Sequence, residues 1–269
     1  VLSYGFPYKE APKTYIRKLT LAPSVEAFQL LRKGDSITLT WELSEIDAAD
    51  FSECVQRTWE YCYDTNHPQP VNTPYTVDRM KEVLSNFFVE SYVNTTSAHY
   101  YSGVELKTAT CDNTDVAEVG FVGRTLLNAF NALEYGSQQN RPELVNSANN
   151  IFDTYLTNGF SPAGFFNEVV HYNRDFKEPN LSIRRQSEGV YAILNYLDYE
   201  KQHKRKHPEW ENRLKVILDS FLRLQNADGS FPRKFKDDFS IVDGTGGSTP
   251  SATLPLVMAY KYFKDKRYL

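Results

Sequence analysis

The sequence has few sulfur-containing residues, no excess of positive charge and no long apolar run, and each absence excludes a class of protein. Its 269 residues include 30 Lys and Arg against 34 Asp and Glu, which gives a net charge of −4. This charge provides no electrostatic basis for binding nucleic acid. No apolar run approaches the roughly 18 to 20 residues that span a bilayer. We therefore predict neither a nucleic-acid partner nor a membrane span.

The three cysteines and five histidines show no metal-binding spacing. Cys54 and Cys62 are eight residues apart on one predicted helix, too far along its axis to pair. We expect both, and Cys111, to be buried free thiols. No two histidines lie at metal spacing on one helix face. The cysteines and histidines therefore predict no metal site, and no cofactor is predicted.

The cellular compartment is left open by the sequence. The chain starts at Val1 rather than Met, so the absence of a signal peptide is uninformative. A periplasmic or extracellular location, with the signal removed, is one alternative.

Aromatic side chains are abundant, with 18 Tyr and 17 Phe. Aromatic rings present large, rigid, amphipathic surfaces. Such surfaces suit ligands that have apolar faces and hydroxyl rims, as sugars do. The alternative for any single ring is that it fills a helical core.

A repeat of about 65 to 70 residues organises most of the chain. Helical segments begin near Glu45, Asp115, Arg184 and Thr249, and a second set of helices lies between them. The third helix is expected to end at Gly136, a C-cap signal. The predicted helices are Glu45–Asp64, Thr76–Tyr92, Asp115–Tyr135, Pro142–Asn158, Arg184–Gln202, Pro208–Gln225 and Thr249–Phe263.

The first 43 residues differ from the rest of the chain. The composition of Thr14–Leu21 is typical of a β-strand. Phe28–Trp41 is predicted to form two strands joined by a turn at Lys33–Asp35. Two or three strands are not stable alone. We expect residues 1–43 to be a β-strand segment, as at the end of a β-sandwich, and residues 44–269 to form helical hairpins.

Three long loops precede the third, fifth and seventh helices, and loops of this length are rare without a function. They span Asn94–Thr114, Asn158–Ser182 and Asn226–Ser248. The helices that follow begin with small apolar residues, which predicts that they form an inner layer, with the more charged fourth and sixth helices outside. The fold class predicted is mainly α, an incomplete or partial (α/α)6-type toroid whose long loops open on one end.

The inner helices, the turn Gln225–Pro232 and the preceding β segment resemble α/α-toroid carbohydrate-active enzymes. The resemblance is closest to glycosyl hydrolases of gut Bacteroidetes, which carry an N-terminal β-sandwich. Ala117–Phe121 is similar to the His-Asp-x-Gly-Phe motif of unsaturated glucuronyl hydrolases, with Gly120 and Phe121 matching. Glu118 stands where that family has Asp. Arg184-Arg185 stands where its second Asp is expected, so that family's specific chemistry is not carried over.

Candidate catalytic carboxylates lie where the inner helices are predicted to begin. Glycoside hydrolysis uses two carboxylates that flank the scissile bond. Asp112, Asp115 and Glu118 cluster at the third helix, although Asp115 is also a natural N-cap with Glu118 in a capping-box position. Glu188 lies one turn into the fifth helix; its alternative role is an ion pair with Arg184 or Arg185.

The second long loop offers further candidates. Glu168 is a fourth catalytic candidate, and His171, Tyr172 and Arg174 are candidate substrate-binding residues. Toroid polysaccharide lyases use a Tyr or His base beside groups that neutralise a uronate, so these residue types also suit a lyase. The other substrate-binding candidates are Asp112, Arg184, Arg185 and Asp243.

In the third loop, Asp243 lies near Asp237 and Asp238. These carboxylates either serve as solvated turn residues or hold a calcium ion through oxygen ligands.

Together these features predict a glycan-processing enzyme, a glycoside hydrolase that uses paired carboxylates on a polysaccharide or oligosaccharide. The alternatives are a polysaccharide lyase and a non-catalytic glycan-binding protein. The seventh helix has no outer partner after it, which would leave Leu254, Leu256, Val257 and Tyr260 exposed. We therefore expect further residues or another chain to cover this helix; the alternative is that it folds back onto the strands.

Overall fold

The computed structural model describes residues 8–17, 20–27, 30–40, 43, 45–101, 103–105, 110–112, 116–120, 124–171 and 178–269. The chain divides into two compact units, Val1–Asn72 and Thr73–Leu269. The division predicted from composition, after Leu43, stays a prediction.

The first unit contains a β-hairpin and a helix. Strands β1 (Tyr8–Arg17) and β2 (Thr20–Ala27) pair antiparallel. The predicted turn at Lys33–Asp35 is present, because Asp35 N donates to Arg32 O and Gly34 has a φ of 101°. The described residues 30–40 around it form no strand, so the hairpin predicted there is wrong within those residues. The N-terminal β-sandwich stays a prediction.

Helix α1 (Phe51–Asn66) begins six residues later than the predicted Glu45. Its start is set by Asp50, whose side chain accepts a hydrogen bond from Glu53 N, while the Glu53 carboxylate accepts one from Ala49 N. This reciprocal pattern is close to a capping box, in which the second bond would come from the N–H of the cap residue Asp50 itself. Cys54 is half-buried and Cys62 is exposed, so the expectation of buried thiols is wrong for Cys62. The side chain of Cys111 lies outside the described part of the structure.

The described part of the second unit contains six helices, and five of them begin at a local signal. Thr76 and Ser182 cap α2 and α5 with their hydroxyl oxygens. Pro142, Pro208 and Pro250 occupy the first turns of α4, α6 and α7, where a missing N–H costs nothing. The helices are α2 (Val77–Ser91), α3 (Thr125–Gln138), α4 (Pro142–Asn158), α5 (Ile183–Gln202), α6 (Pro208–Leu224) and α7 (Pro250–Phe263).

The helices pack as inner and outer layers. Helix α5 packs against both α3 and α7, so these three form one inner row, while α4 packs on α3 and α6 packs on α5. Aromatic residues fill the space between the layers, with Phe152, Phe166, Trp210 and Phe221 almost fully buried. On α7, Leu256 is buried and Leu254 is 55% exposed. The predicted mainly α, partial toroid fold is confirmed.

The third helix differs from the prediction at both ends. It begins at Thr125 rather than Asp115, because Val116–Glu118 forms a strand, β7, that pairs with β8 (Val169–His171). The helix also continues past Gly136, so Gly136 is not its C-cap. A side chain at Gly136 would lie 2.8 Å from Leu144 Cβ on α4, and this close helix contact is what the glycine allows.

Short strands tie the three long loops together at one end of the inner helices. Strand β7, which precedes α3, pairs with β8, which precedes α5. Strand β9 (Leu181–Ser182) leads directly into α5 and pairs with β10 (Lys234–Phe235), which in turn pairs with β11 (Ile241–Asp243) before α7. Four more short strands lie in the first long loop or just before it: β3 (Tyr92–Val93), β4 (His99–Tyr100), β5 (Gly103–Glu105) and β6 (Thr110–Asp112). The loops therefore enter the inner helices from the same end, as the repeat predicts.

Among the described residues, no helix is long and apolar enough to cross a membrane.

Candidate active site

A pocket of about 300 Å³ lies where the three inner helices begin. Its walls come from the segment after β7 and from the N-terminal turns of α3, α5 and α7. Apolar and aromatic groups form most of the surface, and Arg124 and Glu188 supply the charges. The lining residues are Val119, Arg124, Leu127, Ser187, Glu188, Tyr191, Pro250, Ser251, Leu254 and Pro255.

Glu188 is the carboxylate among the described residues that line this pocket. Its Oε1 accepts a hydrogen bond from Arg184 Nε at 3.1 Å, and its Oε2 lies 3.7 Å from Arg124 Nε. The Glu188 side chain is 21% exposed, whereas both arginine side chains are about half exposed. The ion pair with Arg184 that the sequence offered as an alternative is therefore present, and the same carboxylate also faces the pocket.

Arg124 was not predicted as a site residue, and no local signal identifies it. It lies 64 positions before Glu188 in the sequence, and only the packing of α3 against α5 brings the two together. Its backbone is left-handed, with φ 39°, at the position that precedes α3. Such a conformation is uncommon for a residue with a side chain and is a form of local strain that tends to occur at functional sites.

Gly120 allows the segment after β7 to approach α5 closely. A Cβ atom at this position would lie 2.7 Å from Glu188 Oε2 and 3.0 Å from Arg185 Cα. Both distances are shorter than van der Waals contact, so any side chain here would displace the Glu188 carboxylate or the helix. The glycine of the recognised sequence motif thus has a physical role beside the pocket.

Glu168 is almost fully buried at the start of α5, with 2% of its side chain exposed. Its carboxylate accepts hydrogen bonds from Ser182 N and from Gln186 Nε2, and Arg185 Nη1 lies 3.6 Å away. Burial raises the pKa of Glu168 from 4.5 to about 7, and these donors offset only part of that shift. Glu168 is not among the residues that line the pocket.

Gln186 fixes the loop that carries Glu168. Its amide donates to Phe166 O at 2.8 Å and accepts from Phe166 N at 2.9 Å. The side chain thus makes the two hydrogen bonds that a neighbouring strand would otherwise make to the backbone of Phe166. Val119 N also donates to Glu168 O at 3.1 Å. The Glu168 segment is therefore held between β7 and α5, which favours a positioning role for this carboxylate.

Glu118 and His171 lie in the paired strands β7 and β8. Ala117 and Val119 are buried, and Glu118, which points to the other face of the strand, is half-buried. His171 pairs with Val116 at the end of the ladder. Because Glu118 lies in a strand, it cannot form the capping box predicted at the start of α3, and that expectation is wrong.

Other predicted site residues lie partly or wholly outside the described part of the chain. Asp112 ends a short strand, of which only the backbone is described. Asp115, Tyr172 and Arg174 fall outside the described residues.

Two carboxylates of the third loop, Asp238 and Asp243, act within their own turns, and a third, Asp237, contacts the second loop. Asp243 accepts hydrogen bonds from Thr245 N and Oγ1 and lies 3.3 Å from Arg233 Nη1. Asp238 makes the same kind of turn with Ser240, and Asp237 accepts from Ser161 Oγ and Ala163 N. Within the described ranges, no group of three or more potential ligands could hold a metal ion. These contacts favour the turn interpretation over the calcium alternative.

The structure thus gathers part of the predicted set around the start of α5. Arg184, Arg185 and Glu188 lie in its first two turns, and Glu168 contacts Arg185 from the preceding loop. Asp243 is farther away, since its strand is separated from Ser182 by β10.

A larger concavity of about 510 Å³ lies between α2 and α3. It follows the C-terminal half of α3, away from the end where the long loops enter. Its lining residues are Lys81, Leu84, Ser85, Phe87, Phe88, Asn131, Glu134, Tyr135 and Gln138.

Comparison with known proteins identifies the fold rather than a family. No family model and no curated protein matches the sequence. A D-mannose isomerase aligns with a TM-score of 0.54 at 12% identity over 73% of this chain. A cellobiose 2-epimerase from Bacillus thermoamylovorans aligns with a TM-score of 0.53 at 14% identity over 68% of this chain. A possible member of the GH105 family from Salmonella enterica aligns with a TM-score of 0.55 at 16% identity over 79% of this chain.

These three structures are α/α-toroid carbohydrate-active enzymes. The chain covers 51%, 48% and 52% of their respective lengths, so it spans about half of each. At these identities the likeness shows the fold alone. The chain therefore has the fold of α/α-toroid enzymes that process carbohydrates.

Proposed function

We propose that this protein processes a glycan and that the glycan binds in the pocket at the start of α3, α5 and α7. One observation carries the proposal: a carboxylate, Glu188, lies in an otherwise mainly apolar pocket at the end of the inner helices where all three long loops enter. Concave apolar sites with a few convergent polar groups are the usual form of small-molecule sites. The carbohydrate-enzyme fold adds support by analogy.

The walls of the pocket suit the surface of a sugar ring. Tyr191 and Leu127 offer aromatic and aliphatic contact to an apolar sugar face, and Pro250 and Leu254 offer the same from α7. Glu188 is then available at the rim to exchange a proton with the substrate. Arg124 and Arg184 hold the Glu188 carboxylate from two sides, which limits its rotamers and favours a defined geometry.

Within this class we propose a glycoside hydrolase, with Glu188 as one of two carboxylates. The second carboxylate would come from Glu118 or Asp115, which belong to the segment leading into α3. Glu168 would act through the backbone it holds, since it does not line the pocket. Asp112, His171, Tyr172, Arg174, Arg185 and Asp243 remain proposed substrate-binding residues.

A second candidate is a reaction that needs proton abstraction alone, as in a polysaccharide lyase or a sugar epimerase. The observation that favours it is the composition of the described pocket lining, which holds one carboxylate together with Tyr191 and Arg124. A base beside a cationic group is suited to removing a proton next to a stabilised anion.

A polysaccharide and oligosaccharide panel, incubated with the wild-type chain, separates these reactions. We expect new reducing ends without absorbance from unsaturated uronates. Absorbance from unsaturated uronates would favour the lyase, and a changed sugar composition without new reducing ends would favour an epimerase. Binding without any chemical change would favour a non-catalytic glycan-binding protein. A chain that neither binds nor alters any member of the panel would contradict the proposed function.

A further inference from the structure

Ser187 is a buried polar residue in the wall of the pocket, and its hydroxyl has no partner within the described part of the chain. Its side chain is 1% exposed, and no hydrogen bond to its Oγ exists among the described residues. Most buried hydroxyl groups in proteins are hydrogen-bonded, because leaving one unpaired costs free energy. An unpaired hydroxyl beside a cavity therefore suggests a missing partner.

A second polar group belongs to a lining residue on α7, the helix that packs against α5. Pro255 lies inside this helix and has no N–H, so it cannot donate the helical hydrogen bond that Ser251 O would otherwise accept from residue 255. Both Ser251 and Pro255 line the pocket. The proline thus removes the usual helical donor of the Ser251 carbonyl group.

We infer that Ser187 Oγ and Ser251 O form a subsite that binds a hydroxyl group of the sugar. A sugar hydroxyl both donates and accepts, so it can accept from the Ser187 hydroxyl and donate to the Ser251 carbonyl. This inference rests on the proposed function and adds a specificity-determining contact to it. The ligand class is a pyranose ring with an apolar face toward Tyr191 and a free hydroxyl toward Ser187.

The same chain offers a matched control. Ser91, the last residue of α2, is the other described residue with a buried hydroxyl that lacks a partner, and it does not line this pocket. Removing either hydroxyl relieves an unpaired buried group, so both Ser187→Ala and Ser91→Ala should keep or raise the Tm. Only Ser187→Ala should change sugar binding.

The test measures binding of the methyl glycosides of glucose, galactose, mannose and glucuronate by calorimetry, then of the monodeoxy derivatives of the tightest binder. We expect Ser187→Ala to weaken the tightest binder by about 3- to 10-fold, the effect of one lost hydrogen bond. One monodeoxy derivative should bind the wild type and Ser187→Ala equally. Ser91→Ala should bind every probe as the wild type does.

Three results would overturn the inference. Wild-type binding by Ser187→Ala would remove the subsite and leave the proposed function intact. An equal loss for the parent glycoside and all its monodeoxy derivatives would mean that the substitution acts on the pocket's structure rather than on one hydroxyl contact. No binding of any probe by the wild-type chain would contradict the glycan pocket itself.

Discussion

Glu188→Gln should lower turnover of the glycan that the wild-type chain processes by about 100-fold or more, the usual contribution of a positioned acid or base. The amide keeps the shape of the side chain but can neither ionise nor donate an acid proton. Because one oxygen remains to accept from Arg184, the fold should be preserved. Turnover measured at saturating substrate, together with a thermal melt, checks both parts of this expectation.

Glu143→Gln is the matched control for this substitution. Glu143 pairs with Arg141 at 2.7 Å on α4 and does not line the pocket, so its activity should equal that of the wild type. Glu118→Gln tests the proposed second carboxylate in the same assay. Unchanged activity in both Glu188→Gln and Glu118→Gln would remove them as catalytic residues and move attention to the segment from Glu168 to Arg174.

Glu168→Gln should abolish a pH dependence of stability that the wild type shows between about pH 4.5 and pH 7. Burial raises the pKa of Glu168 to about 7 in the folded state. In the unfolded chain its pKa has the ordinary value of 4.5. Below pH 4.5 both states hold the proton. Between these values the unfolded state ionises while the folded state stays protonated, so the free energy of unfolding falls as pH rises.

The size of this effect follows from the shift in pKa. A pKa shift from 4.5 to about 7 corresponds to about 3 kcal/mol. The free energy of unfolding of the wild type is lowered by this amount above pH 7 and is not lowered below pH 4.5. Urea denaturation of the wild type and Glu168→Gln at several pH values measures it. The difference in unfolding free energy, variant minus wild type, should grow by about this amount as pH rises. A difference that does not change with pH would contradict the claim that the buried Glu168 carboxyl group keeps its proton up to about pH 7.

Glu200 provides an internal comparison of opposite sign. Burial opposes ionisation of this carboxylate too, but hydrogen bonds from Arg205 and His207 outweigh it and lower the pKa of Glu200. Its stabilising contribution is therefore present at neutral pH and is lost as pH falls. The unfolding free energy of Glu200→Gln minus that of the wild type should therefore increase as pH falls, whereas the same difference for Glu168→Gln should decrease as pH falls.

Most helices could be predicted from sequence because their ends are locally encoded. Thr76 and Ser182 are side-chain caps, and Pro142 and Pro208 mark first turns, so α2, α4, α5 and α6 begin within a residue of the prediction. The start of α3 could not be found this way. Val116–Glu118 becomes a strand through pairing with Val169–His171, about 50 residues away, and no local pattern encodes that partner.

The same distinction holds for the candidate site. The pair of Arg184 and Glu188 is four residues apart on one helix, a spacing that brings side chains together and can be found in the sequence. Arg124 and Ser187 could not be identified, since Arg124 reaches Glu188 only through the packing of two inner helices and the unpaired hydroxyl of Ser187 is a property of its surroundings.

Hydrogen exchange with and without the bound glycan tests most directly the claim that the pocket at the start of the inner helices is the binding site. The account predicts slower exchange in the first turns of α3, α5 and α7, around Arg124, Glu188 and Ser251. Slower exchange in the groove between α2 and α3, with no change in those first turns, would contradict it.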